Sequence, residues 1–345
     1  MLRGIVLGAA VCAASVCFAE GASAKVLRVP ASLPTIQAAV DAAVDGDVIH
    51  VAAGDYCGAT ITKRLTLIGR GHPRIIGCAG GPTVVAGARV GFFLPGSAGV
   101  NPASGTQITG FVFDGRGVSS ANLAPLSFGI FARFGQDIIV SNNRFEGTAQ
   151  AITNTAGDRW RIEHNRIHGL TLLDCTGLCT GGDGIVIQLA GGALGAPGGD
   201  SAPINRPEDN LILDNTIEGT PPDGFSTFSM AGVLVLSADH TTVLKNELEL
   251  RDNPAADAVG QGILVTNTCC GRATPFSPGS RNTILAFNDG RKSEVAIVVE
   301  GSGGANTEGL FLYKNKGKEQ IEGAVQLLAL ARSAVAAPAR AMPLQ

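Results

Sequence analysis

Gly129-Ile-Phe-Ala-Arg-Phe-Gly-Gln-Asp-Ile-Ile-Val-Ser-Asn-Asn143 runs directly into Arg144-Phe-Glu-Gly-Thr-Ala-Gln-Ala-Ile-Thr-Asn-Thr-Ala-Gly-Asp-Arg-Trp-Arg-Ile-Glu-His-Asn165, and the second stretch repeats the pattern of the first 22 residues later. In each, a small residue and an aliphatic one open a short strand: Gly129-Ile130, then Ala151-Ile152. A second aliphatic residue, Val140 or Ile162, stands three positions before Asn143 or Asn165. The same arrangement returns at Asn215, Asn246, Asn288 and Asn315, with Ile212, Val243, Leu285 and Leu312 before them. Their opening pairs are Gly184-Ile185, Gly232-Val233, Gly262-Ile263 and Ala296-Ile297. After the first four Asn come Phe145, Ile167, Ile217 and Leu248. The spacing from aliphatic opener to Asn is constant in three coils and longer in the others, as in a solenoid with loops of varying length.

Alternation within a strand points the aliphatic residues inward. Parallel strands about 4.8 Å apart stack each residue on its counterpart in the next coil. The Asn falls at a sharp turn. There its tolerance of left-handed backbone and its amide, bonding to the Asn of neighbouring coils, both serve. The rival pattern is an antiparallel sandwich with Asn-containing hairpin turns, but a shared strand–loop–strand–Asn–strand unit does not suit it. The expectation is an all-β solenoid.

Length and composition agree. The 345 residues include 47 Gly and 5% aromatics, a balance that suits many tight turns between short strands. Net charge is −3 with no basic run, which excludes a nucleic-acid partner. Residues 1–24 read as an export signal: a charged Met1-Leu2-Arg3 start, an apolar run to Phe18, and Ala22-Ser23-Ala24. Nothing later reads as a membrane span. A secreted or periplasmic monomer is expected, with coils over 25–320 and a capping helix or flexible tail over 321–345.

Outside that leader the cysteines are Cys57, Cys78, Cys175, Cys179, Cys269 and Cys270, an even set in an exported chain, which favours disulfides over a metal. Cys57 and Cys78 lie about one coil apart, within reach of a bond. For the other four, cross-pairing between the 175–179 and 269–270 loops stands against local pairing within each.

The coil pattern resembles the pectate-lyase-like superfamily of right-handed, single-stranded parallel β-helices. Pro34-Thr-Ile-Gln-Ala-Ala-Val-Asp-Ala-Ala43, Gly46-Asp47-Val-Ile-His-Val51 and Leu65-Thr-Leu-Ile-Gly-Arg70 are similar to the opening of pectinesterase-type and periplasmic members. Ile36, Ala39, Val40 and Ala43 have helical spacing, and predict an N-terminal capping helix.

The resemblance implies a cleft along the outer face of the sheet that begins with the Gly-Ile strands. By alternation the first outward residues there are Phe131, Thr153, Val186, Leu234, Leu264 and Val298. The second column is Arg133, Thr155, Gln188, Leu236, Thr266 and Glu300. No paired carboxylates align as glycoside hydrolysis requires. No Asp pair with oxyanion Gln matches an esterase, and Arg133 and Glu300 are too far apart for a lyase. The catalytic residues are therefore unassigned. The apolar column predicts that loops cover this face. Candidate substrate-binding residues are Arg133, Gln188, Asp183 (in Gly181-Gly-Asp-Gly184), Asp223 and Phe225. No cofactor is implied; calcium at Asp183 is a minor alternative. Trp160 reads as core, and His164 and His168 as surface. The functional expectation is association with an acidic polysaccharide, by binding or by lyase-, esterase- or epimerase-like processing. The alternative is a non-catalytic exported adhesin, scaffold or accessory protein.

Overall fold

The structure is a computed structural model. It describes residues 24–84, 87–97, 99–119, 121–171, 182–190, 205–220, 230–251, 253, 259–266, 279–301, 307–323 and 325–327. Their strands form three sheets of eleven, nine and seven strands, and every strand pairing within them is parallel. The chain visits the nine-, the eleven- and the seven-stranded sheet in turn and then starts the next coil, so the molecule is a parallel β-helix.

Three stacked columns fill the interior. Ile130, Ile152, Ile185, Val233, Ile263 and Ile297 are Cα partners in succession in the nine-stranded sheet. Val140, Ile162, Ile212, Val243 and Leu285 do the same in the eleven-stranded sheet, and Phe113, Phe145, Ile167, Ile217 and Leu248 in the seven-stranded one. All of these belong to one buried core. Each buried aliphatic contributes roughly 1.5–3 kcal/mol, and each coil gains it only by lying on its neighbour. Aromatics thicken the N-terminal half. Phe113 and Phe145 stack with centroids 4.7 Å apart, and Phe92 meets Phe111 and Phe113 edge-on. Trp160 is fully buried, its Nε1 donating to the Gly135 carbonyl.

The six Asn residues form a continuous chain. Asn165 Nδ2 donates to the Val140 carbonyl and to Asn215 Oδ1. Asn165 Oδ1 accepts from the backbone and side-chain nitrogens of Asn143. The same contacts link Asn215, Asn246, Asn288 and Asn315. The left-handed backbone expected of these Asn falls instead on the residue before each: Asn142, His164, Asp214, Lys245, Phe287 and Lys314 all have φ near +50°. The turn is made one position early, which frees the Asn side chain to lie along the stack.

The expected N-terminal cap is a helix, Ile36–Ala42, with Ile36, Ala39 and Val40 buried on the first coil. Thr35 Oγ1 accepts from the Ala38 amide at its start. Lys63 Nζ donates to the carbonyls of Val40, Asp41 and Ala43 at its end, supplying the cation that the end of a helix favours. Cys57 and Cys78 are disulfide-bonded, with Cα atoms 5.4 Å apart. At the other end the stack continues past residue 320. Glu319–Gly323 joins the nine-stranded sheet and Val325–Leu327 the eleven-stranded one, where a helix or tail was expected from 321. Cross-strand pairing with the preceding coil outweighs the helical spacing of Ile321, Ala324, Val325 and Leu328. Cys175, Cys179, Cys269 and Cys270 lie outside the described residues.

Candidate functional site

Each sheet shows a different outer face. On the seven-stranded sheet, charged residues form a zipper. The Asp114 carboxylate is gripped by Arg74 and Arg116, which hold its pKa well below the usual carboxylate range. Hydrogen bonds from Arg291 hold Asp289 down at about 2. A cleft of about 370 Å³ opens here beside His168, Glu218, Glu249 and Arg251. Its carboxylates already have partners: Glu218 meets His168 Nδ1 at 2.9 Å, and Glu249 accepts from Lys292 at 3.0 Å. Such exposed pairs contribute little individually and leave no free acid for chemistry.

The nine-stranded sheet is different. Phe131, Thr153, Val186, Leu234, Leu264 and Val298 point outward as expected, and all are at most 8% exposed. Val186, Leu234, Leu236, Leu264 and Val298 make an apolar cluster separate from the core. The outer face is thus buried; the segments 172–181, 191–204, 221–229 and 267–278, which include the loops expected to cover it, fall outside the described residues.

A further outward column precedes these two, and simple alternation misses it. Gly184 and Ile185 both face the interior: a Cβ on Gly184 would lie 2.8 Å from the Ile217 side chain and 2.5 Å from the Gly232 carbonyl. Ala151 and Ala296, at the same position in other coils, are core residues. Two successive inward positions turn the residue before them outward. That column reads Phe128, Gln150, Asp183, Ala231, Gln261 and Val295. A small residue beside the aliphatic opener, repeated in every coil, was the available signal.

Asp183 is 5% exposed within this column and its backbone amide donates to the Ala149 carbonyl. Burial pushes its carboxyl up to about 7, partly opposed by the Ala231 amide and by Gln150. Gln150 Nε2 lies 3.4 Å from Asp183 Oδ2, and Gln150 Oε1 accepts from Thr153 Oγ1 at 2.7 Å. No cation pairs with Asp183 among the described residues. Gln261 Oε1, further along the column, is buried without a partner. Arg133 and Gln188 lie on the same face but in another column, separated by Thr155, whose hydroxyl accepts from Gln188 Nε2 at 3.0 Å. Arg133 Nε is buried and unpartnered, and the guanidinium lies 5.8 Å from the Phe134 ring. Glu300, at the far end of the Arg133 column, accepts from Thr266. The structure therefore places Arg133, Asp183 and Gln188 on one face without joining them in one contact. Asp223 and Phe225 lie outside the described residues.

A half-protonated buried acid can donate or accept a proton near neutral pH, and its amide and hydroxyl neighbours can bind oxygen-rich ligands. No group of three His, Cys, Asp or Glu side chains is placed to hold a metal among the described residues. No helix among them is long and apolar enough to cross a membrane.

No protein-family model matches the chain, and no curated protein sequence does. Solved structures show a distant likeness. An alginate lyase from Paenibacillus sp. is 14% identical, with a TM-score of 0.42 over 88% of this chain and 99% of that one. The A-module of the Azotobacter vinelandii mannuronan C-5 epimerase AlgE4 is 13% identical, with a TM-score of 0.30 over 85% and 95%. PfbA, a surface adhesin of Streptococcus pneumoniae, is 10% identical, with a TM-score of 0.34 over 79% and 85%. At these identities the likeness is one of fold alone.

Proposed function

We propose that this is an exported β-helix protein that associates with an acidic polysaccharide at the edge of the nine-stranded sheet's buried outer face, where Arg133 and Gln188 are only half-buried, with Asp183 behind them as the proton-exchanging group. The observation that carries the reading is the placement of Asp183. Its column holds Phe128, Ala231 and Val295 in other coils, so folding needs no acid there. A buried carboxyl with no cation beside it opposes folding, and groups of this kind concentrate at functional sites. Once protonated, Asp183 can donate to a sugar oxygen or carboxylate without like-charge repulsion. Gln150, Gln188 and Arg133 add donors on the same face. The disulfide Cys57–Cys78 supports export to an oxidising compartment.

The test is a screen of the purified protein against uronic-acid polymers, following unsaturated products, released methanol and retention on the polymer. Asp183→Asn is run in parallel. Unchanged turnover or retention in this variant from acid to alkaline pH would remove Asp183 from the function. A second reading, a non-catalytic exported scaffold or adhesin, is favoured by the buried, largely apolar outward columns. Polymer retention without turnover in both proteins would select it.

A further inference from the structure

The eleven-stranded sheet carries a third kind of outer face. In the earlier coils its two outward columns carry Gln107, Ile139 and Arg161, and Thr109, Ser141 and Glu163, mostly polar, with Arg161 and Glu163 ion-paired. From the next coil the character changes. One column runs Leu211, Thr242, Ile284, Phe311; the other runs Leu213, Leu244, Ala286, Tyr313. These described positions hold no carboxylate. Ile284 is 38% exposed, and Phe287, at the turn beside it, is 41% exposed.

The aromatic geometry is specific. Phe311 and Tyr313, two residues apart on one strand, have ring planes within 15° and centroids 6.1 Å apart. These near-parallel rings make an aromatic ledge on this face. Phe287 stands against Tyr313 at 80°, centroids 5.2 Å apart, as a wall at the ledge's side. Lys314 Nζ lies 5.1 Å from the Tyr313 centroid and 5.8 Å from that of Phe287. Lys245 precedes Phe287 in the same column of left-handed turn residues, so the rim reads Lys, Phe, Lys along the stack.

Phe287 gives the second, independent observation. It occupies left-handed backbone, φ +56°, where the five other coils use Asn142, His164, Asp214, Lys245 and Lys314. A bulky ring in this conformation is unfavourable, and an exposed ring gains little from burial in return. Neither turn geometry nor the core requires Phe at this position.

We propose that this ledge is a second glycan-binding surface, stacking the apolar faces of pyranose rings on Phe311 and Tyr313, with Lys245 and Lys314 receiving the carboxylates of a uronic-acid chain. The charge argument selects the occupant: Asp214, which faces His164, stands at the start of this rim, but beside the aromatic ledge the rim carries Lys245 and Lys314 and no acid lies on the floor, so an anionic chain is drawn in there and a cationic one gains nothing. The ledge and Asp183 lie on different sheets, so either assignment can fail alone.

The test uses the full-length protein, an oligogalacturonate and a neutral gluco-oligosaccharide of equal length, in titration calorimetry. The wild type should bind the oligogalacturonate more tightly, with affinity falling as salt rises. Phe287→Ala/Tyr313→Ala should weaken binding about ten-fold or more through loss of two ring contacts. Tyr313→Phe keeps the ledge and should bind nearly as the wild type does, which separates stacking from misfolding. Lys245→Ala/Lys314→Ala should reduce the preference for the acidic ligand and flatten the salt dependence. Asp183→Asn should leave this binding intact. Absence of wild-type binding to the oligogalacturonate overturns the proposal, as does unchanged affinity in Phe287→Ala/Tyr313→Ala. So does binding that appears only when residues 328–345 are removed. A concentration-dependent dimer lost in the double variant, with glycan affinity unaltered, would assign the face to a second copy of the chain instead.

Discussion

Replacing Asp183 with Asn isolates the burial of one carboxyl. The folded protein holds this group at about 7, against 3.8 for an exposed Asp, with desolvation as the leading cause. A raised folded-state pKa means that the native state binds the proton more tightly than the unfolded chain. Asp183 therefore leaves stability untouched below the unfolded value. It becomes increasingly destabilising as pH rises through the interval, and its effect levels off above the folded value. The full displacement corresponds to about 4 kcal/mol, an upper figure because the unfolded chain is not a free Asp. Asn has nearly the same shape and cannot ionise. Its altered hydrogen bond with Gln150 adds only a pH-independent offset. The unfolding free energy of Asp183→Asn minus that of wild type should thus grow by several kcal/mol between about pH 4 and pH 8. Reversible urea unfolding at a series of pH values measures it. Infrared difference spectra give a second readout: a protonated-carboxyl band at neutral pH that the variant lacks. A difference in stability that stays flat with pH would show that Asp183 is paired or hydrated, and the argument from uncompensated burial would collapse.

Three further outcomes are expected. Asn165→Ala removes the acceptor of Asn143's amide and the donor to the Val140 carbonyl, and should lose roughly 1–3 kcal/mol in urea melts; an unshifted midpoint would make the Asn chain ornamental. Cys57→Ser opens the 21-residue loop closed onto Cys78 and should lower stability by about 3 kcal/mol, with the first coils exchanging amide hydrogens fastest; identical melts with and without reductant in the wild type would contradict it. Phe145→Ala leaves Phe113 facing a void in the core and should cost about 3–5 kcal/mol by calorimetry, whereas Phe145→Leu should cost much less.

The columns of the core were legible because two-residue alternation and coil repetition reinforce each other: Ile130 predicts Ile152, which predicts Ile185. The charge zipper was only half legible: Arg116–Asp114 and Arg291–Asp289 pair two residues apart in the chain, but Arg74 meets Asp114 and Lys292 meets Glu249 only after the coils stack. Alternation also failed at Gly184-Ile185. Two inward residues in a row exchange the faces of everything before them, which hid the setting of Gln150, Asp183 and Gln261 although Asp183 itself was a candidate. The turn residues show the same limit at finer grain, because Asn signals the turn while the left-handed backbone belongs to its predecessor. Phe287, Phe311 and Tyr313 stood in plain view beside Asn288 and Asn315. The resemblance directed attention to the first sheet, and the outer face of the second went unread. Asp223 and Phe225 occupy segments with no period, where no repeat constrains a side chain's direction.

The direction of the Asn chain has an evolutionary consequence. Each Nδ2 donates toward the next coil and each Oδ1 accepts from the one before, so every coil offers the same socket and the same plug. The 22 residues from Arg144 to Asn165 are therefore a module. A tandem duplication of that stretch in the gene would insert one more rung with every column still in register, and an in-frame deletion would remove one. Loops would be carried along unchanged, and only the two ends would stay unique. Length in such a protein is a variable that selection can adjust in whole rungs, independently of whatever chemistry one rung has acquired.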